Sequence, residues 1–459
     1  MEDLRKLWHV RICICALLFL SVFGCEKERH ITQAPPSSAG DEVLAATTLL
    51  STVGAQEKSE GLDPSLGNNP SLVVVFNERG RGVAYVAQKE GLLHIVHNGK
   101  AGRLVTAVDQ LSISPDGKRI AYSAQVDGKW RMVIDDKVGV LSDEVNDPVF
   151  SPDSGHIAYQ ARIAEKWHMV VDDTMSPGCL SYLGNPLFSA DSTKIVYVEK
   201  IGDKGQLRLI ISDLAFKTQN RKKFTGDQLI ANADKTRIAA VKITGKKQSV
   251  VEFSFDRPDA EKEAPKYESV SRLVFGSDGV SLAYVAERGG TRLLVLNDNE
   301  ERLIDGDLTS PPVVRPDIKG VGALMSAKGR YFLHQAFFHA GTTGNKYDEA
   351  ADLVYSKDST MHAYSARKGN NWLIVANGKE GPVFDRVVTP VFSPDSKLLV
   401  YRARKDGKRF VVVADASGKV LRRHPSYEQV FQPVFTADGK SVAYGIKDGQ
   451  KLIWKVEKL

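Results

Sequence analysis

Apolar residues in this chain fall in short runs, Ile157-Ala158-Tyr159 and Met169-Val170-Val171 among them, separated by stretches rich in Ser, Asp, Gly and Lys. Such runs carry no helical period and predict strands; their consecutive apolar residues predict sheets covered on both faces. The polar stretches are turn sequences. In "FSPDSGHIAY", Phe150 to Tyr159, the proline presets φ, Asp and Ser bond back to the local backbone, and glycine tolerates positive φ at that turn in other copies. A polar loop, Ala161 to Lys166, leads to a further strand, "WHMVV", closed by Asp172-Asp173.

The phrase recurs. Copies begin at Asn77, Ser114, Ser151, Ser189, Asn232, Gly276, Arg315, Ser356, Ser393 and Thr436, at steps of 37, 37, 38, 43, 44, 39, 41, 37 and 43 residues. A period near forty with strand content predicts an all-β protein, a β-propeller of about ten four-stranded blades. Trp130, Trp167 and Trp372 each fall 16 residues after the start of a copy, and Trp454 falls 18 after, so the indoles are expected to fill gaps between blades. One large ring is the preferred arrangement. The charged insertion Ser254 to Ser269 also permits a seam there and two smaller rings. The last copy stops after its third strand, Leu452 to Val456, so a closing strand is expected from between Val43 and Asp63. Asp41 to Ser51 reads alternatively as a short helix capped by Asp41.

The repeated segment resembles the TolB-type, WD-like β-propeller repeat, F-S-P-D-G-K-x-[IV]-A-Y, over residues 71–459. The resemblance implies an envelope propeller with a binding role. There is no separate N-terminal α/β domain in this chain, so membership of the same complex is not implied.

Residues 1–24 have the form of a signal peptide: Arg5, Lys6 and Arg11 precede an apolar run, Ile12 to Gly24, too short to cross ~30 Å of hydrocarbon as a helix. "SVFGC" resembles the lipobox of bacterial lipoproteins, which makes Cys25 the expected lipid attachment. Residues 25–70 then read as a lipidated tether that also supplies the closing strand; "EKERHITQAPPSSAGDE" is polar and Pro/Ser-rich. Cys13 and Cys15 would leave with the signal, Cys25 would carry lipid, and Cys179 would remain alone, without a disulfide partner. The expected location is the cell envelope, facing the periplasm.

Charge changes the picture little. Lys and Arg number 62 against 56 acidic residues, with no basic block, which argues against nucleic acid as a partner. Candidate chemistry is sparse. Phe275-Gly276-Ser277-Asp278-Gly279 lies in the repeated turn, not on a nucleophile elbow. His94 and His97, three apart on a strand, point to opposite faces, so no metal site is expected. Asp135-Asp136 and Asp172-Asp173 recur by blade and read as turn formers. No catalytic group and no cofactor is expected.

The seventh copy departs most from the pattern. Tyr331, Phe332, His334, Phe337, Phe338 and His339 make it aromatic-rich, and it is the one candidate surface for partner contact, with extra core aromatics as the alternative. The sequence therefore reads as a non-catalytic scaffold for an envelope protein or peptide, with an enzyme or small-ligand binder using the central channel as the alternative.

Overall fold

The computed structural model describes residues 47–53 and 74–459, apart from 202–205, 218, 227, 256, 258–259, 305 and 339–340. Its elements are all strands, arranged in ten antiparallel sheets. Blades one to ten begin with Val74–Phe76, Ala107–Ile113, Glu144–Phe150, Ser181–Tyr182, Leu229–Ala231, Ser269–Phe275, Asp307–Leu308, Glu349–Tyr355, Arg386–Phe392 and Gln429–Val430. These first strands are innermost, and those of blades two and three, and of eight and nine, touch one another. In blades four, seven and ten the inner strand is broken, resuming at Leu187–Phe188, Val313–Val314 and Val434–Phe435.

The sheets form a single ring because each is apolar on both faces. Ten apolar clusters fill the ten interfaces between neighbouring blades. Ala158 and Val171 of blade three, for example, pack on Tyr182 and Tyr197 of blade four. Eight copies carry Tyr at the end of the "IAY" phrase, and each of these rings is at most 2% exposed. The arrangement with two smaller rings does not occur. Val241 and Val250 of blade five pack directly on Val270 and Tyr284 of blade six. The 254–269 segment instead supplies Lys262–Glu263, the outer strand of blade five.

Closure uses both ends of the chain. Thr48–Thr52 pairs antiparallel with Lys451–Lys458, from Thr48 opposite Trp454 to Thr52 opposite Lys451. This is the closing strand expected from the sequence, and it excludes the helical alternative where the two overlap. Asp41 to Ala46 lie outside the described residues. Val53 follows the closing strand into a cluster with Val83, Tyr85 and Leu452, which seals blade ten to blade one.

The repeated turn does more than reverse the chain. Ser114 Oγ donates to Asp116 Oδ1 (2.6 Å), and the Asp116 amide donates to Ser154 Oγ of the next blade's turn (3.0 Å). The Asp153 amide meets Ser192 Oγ, the Asp317 amide Ser359 Oγ and the Asp358 amide Ser396 Oγ in the same way. Those four serines sit at φ between 59° and 66°, where other copies use glycine. The conformation is strained for Ser, and its hydroxyl clamps the preceding blade in return. The acidic pairs also serve turns: Asp135 and Asp136 have φ of 49° and 67°, and Asp135 Oδ1 accepts from the Ile120 amide (2.9 Å).

Candidate functional site

The aromatic stretch of blade seven lies mostly inside the ring wall. Phe332 and His334 are 3% and 2% exposed, and Phe332 belongs to the cluster between blades six and seven. His334 Nε2 lies 3.7 Å from Glu301 Oε1, and burial holds its imidazole below the usual histidine range. Phe337 lies under the Arg315 guanidinium, 5.2 Å from ring centroid to carbon. Phe338 packs partly buried on the same cluster as Phe332, and Tyr331 on the cluster between blades seven and eight. His339 and Cys25 lie outside the described residues. His94 is buried while His97 Nε2 meets the Gly117 carbonyl (3.0 Å), so the two histidines do not converge.

Around the channel, inner strands are stitched to their neighbours by polar side chains. Gln160 Nε2 donates to the Gly184 carbonyl (2.8 Å), Arg272 Nη2 to Leu308 O (3.3 Å) and Arg402 Nη1 to Val430 O (3.3 Å). Thr389 has φ of 51°, costly for a β-branched residue; its amide donates to Asp352 Oδ2 and its hydroxyl accepts from Arg402 Nε. Among the described residues no group of three metal-ligating side chains gathers.

The clearest departure from the repeat lies elsewhere. Two residues after the "IAY" tyrosine position, six copies carry alanine: Ala87, Ala124, Ala161, Ala286, Ala366 and Ala403. All six are at most 4% exposed. Blade four has Glu199 there, 5% exposed, and blade five has Lys242. The cross-strand partners of this position are His94, Arg131, His168, Arg208 and Ser249 in blades one to five. In blades six to ten they are Leu293, Phe332, Leu373, Phe410 and Ile453. Half the ring is polar at this column and half is apolar.

Two cavities open in the polar half. One, of about 280 Å³ between blades two and three, is lined by Asp109, Ser123, Trp130, Asp143, Glu144, Val145 and Asn146. The other, of about 270 Å³ between blades three and four, is lined by Pro177 to Leu180, Tyr197, Glu199 to Ile201, Arg208, Gln219 and Arg221. Blade four frames it with an outer strand of seven residues, Gln219–Thr225, where six other blades have two there. In this cavity Arg208 Nη1 donates to Glu199 Oε2 (3.2 Å), and burial still holds the Glu199 carboxyl above its usual range. Burial pushes the Cys179 thiol up to about 11, so it stays protonated and is a poor nucleophile at neutral pH. Reading the copies column by column, rather than for motifs, would have found Glu199 in the sequence.

Fold and geometry together define a ten-bladed β-propeller. No family profile matches the chain, and no curated protein matches it. Solved structures do. A eukaryotic initiation factor is 13% identical, over 76% of this chain and 97% of that one, at a TM-score of 0.44. TolB from Acinetobacter baumannii is 13% identical over 70% and 80%, at 0.28, and the Dos1 propeller 10% identical over 84% and 90%, at 0.37. At these values the likeness is one of fold alone.

Proposed function

We propose that this protein is a lipid-anchored propeller of a bacterial envelope, a non-catalytic scaffold that holds a protein or peptide on the periplasmic side. The observation that carries the reading is the N-terminal sequence, an apolar run that ends at Gly24-Cys25 and is followed by a polar tether. The tether meets the ring at Thr47, whose hydroxyl bonds both to the Val456 amide (2.9 Å) and to the Val456 carbonyl (3.2 Å). Val456 lies toward the end of the blade where the Ser-x-Asp turns are. Fully extended, residues 25–47 reach ~75 Å, enough to let the ring stand clear of a membrane surface.

In-cell crosslinking of the tagged protein, with mass spectrometry of what it holds, tests the reading, and a Cys25→Ala version is the control. The expected result is a defined envelope partner whose capture falls when the anchor is lost. Capture of nothing at any crosslinker length would sink the scaffold and turn attention to small ligands of the channel.

A further inference from the structure

The cavity between blades three and four contains two polar groups with hydrogen-bonding capacity to spare. Arg221 is aligned by Gln219 Oε1, which accepts from its Nε (2.8 Å) and also from its Nη2. That partner is a neutral amide, and among the described residues Arg221 forms no ion pair. The second group is the hydroxyl of Tyr197, buried without a hydrogen-bond partner among the described residues. Such a hydroxyl forfeits roughly 1–3 kcal/mol unless something occupies the space before it. The tyrosines at the same position of blades two, six and ten, Tyr122, Tyr284 and Tyr444, also have unpartnered hydroxyls, so it is the Arg221 guanidinium beside one of them that singles out this cavity.

The remaining wall fixes what would fit. Glu199 occupies a column where most blades place alanine, and its carboxylate already neutralises Arg208. Against a dianion the Glu199 charge is repulsive; for a single negative charge, Arg221 and Lys200 outweigh it. Pro177, Ile201 and Leu180, the last 63% exposed, supply an apolar lip beside the charged floor. Cys179 stays a neutral thiol and adds no charge.

We infer that this cavity binds a carboxylate carried on a short apolar group, with Arg221 and the Tyr197 hydroxyl holding the oxygens and Pro177 and Leu180 the carbon chain. The inference deepens the scaffold reading, since such a group is either the free end of a peptide partner or a small organic acid. Nothing in the fold needs Arg221 there, because six blades close the same interface with an outer strand of only two residues; the Tyr197 hydroxyl belongs to the repeat and is shared with seven other copies.

Calorimetric titration of the full-length protein in detergent is the test. The probes are butyrate, a tetrapeptide ending in leucine with a free carboxylate, the same tetrapeptide amidated, and inorganic phosphate. Butyrate or the free-acid peptide is expected to bind, and Arg221→Gln and Tyr197→Phe to weaken it about tenfold each. Tyr197→Phe removes only the oxygen, and Arg221 is exposed, so neither variant should unfold the ring; thermal denaturation checks this. Preference for the free-acid peptide over both butyrate and the amide assigns the carboxylate to a partner chain, and the reverse to a small acid. Phosphate binding as tightly as either, or affinities unchanged in both variants, overturns the site. Because a crosslinked partner could persist in Arg221→Gln, the scaffold survives that outcome while the cavity does not.

Discussion

Blades one to five and blades six to ten solve one packing problem differently. At the cross-strand partner of the alanine column the first five carry His94, Arg131, His168, Arg208 and Ser249, and the last five carry Leu293, Phe332, Leu373, Phe410 and Ile453. The turns, the buried "IAY" strands and the clusters between blades are alike in both halves. The apolar half shows what the fold requires. The polar half holds charges that closure of the ring does not need, and the two cavities lie there. A buried ion pair is a weak source of stability, so the pair Glu199–Arg208 is better explained by what it borders than by what it holds together.

The strongest way to break this comparison is to move a residue of the polar half into the apolar half. Phe410 is 8% exposed between Trp372 and Phe384, and Phe410→Arg puts an unpaired charge there. Chemical denaturation should show a loss of about 4 kcal/mol or an insoluble protein, whereas Arg131→Phe should cost far less. A smaller effect is expected at the ion pair. Glu199→Ala alone leaves Arg208 without its carboxylate and should cost about 2 kcal/mol. Glu199→Ala with Arg208→Leu recreates the apolar half's arrangement and should return to within about 1 kcal/mol of the parent. Equal losses in the single and double variants would mean that the charge pair is structural after all.

The smallest effect is one of pH. Burial, with the Arg315 charge adding to it, pushes the His362 imidazole of blade eight down to about 4. Its value in the unfolded chain is near 6.5, so the unfolded state binds the proton more readily. Stability is therefore full above about pH 6.5 and is lost as pH falls toward 4, by about 2 kcal/mol at pH 5. His362→Phe, beside Tyr355 and Tyr364, should flatten the denaturation midpoint between pH 7 and pH 5. An unchanged pH dependence in that variant would place the sensitivity elsewhere.

The architecture was legible because its signals are local. Ser-Pro-Asp-Gly is a turn wherever it occurs, and ten copies at a regular step leave few topologies. The closing strand was legible by subtraction, since the last copy lacked its fourth strand. The blade three–four cavity was not legible, because it depends on the length of one outer strand and on residues from two blades. The rings of blade seven drew attention by their number, yet Phe332 and His334 are buried in the wall, a distinction that only the register of strand Arg330–Ala336 makes. Glu199 sits between these cases: visible in one column of the copies, but meaningless until the strand beside it places Arg208 opposite.

Thr47 and Val456 bond across 409 residues of sequence, and this contact orders events in time. The first strand made must wait, unpaired, until the last one has been synthesised. Contacts of such separation fold slowly, because the whole intervening loop must be closed before they form. Until then, the sheet edges at the two ends stay open to other chains. Ring closure therefore waits for the C-terminal blade, whatever the order in which the other blades form.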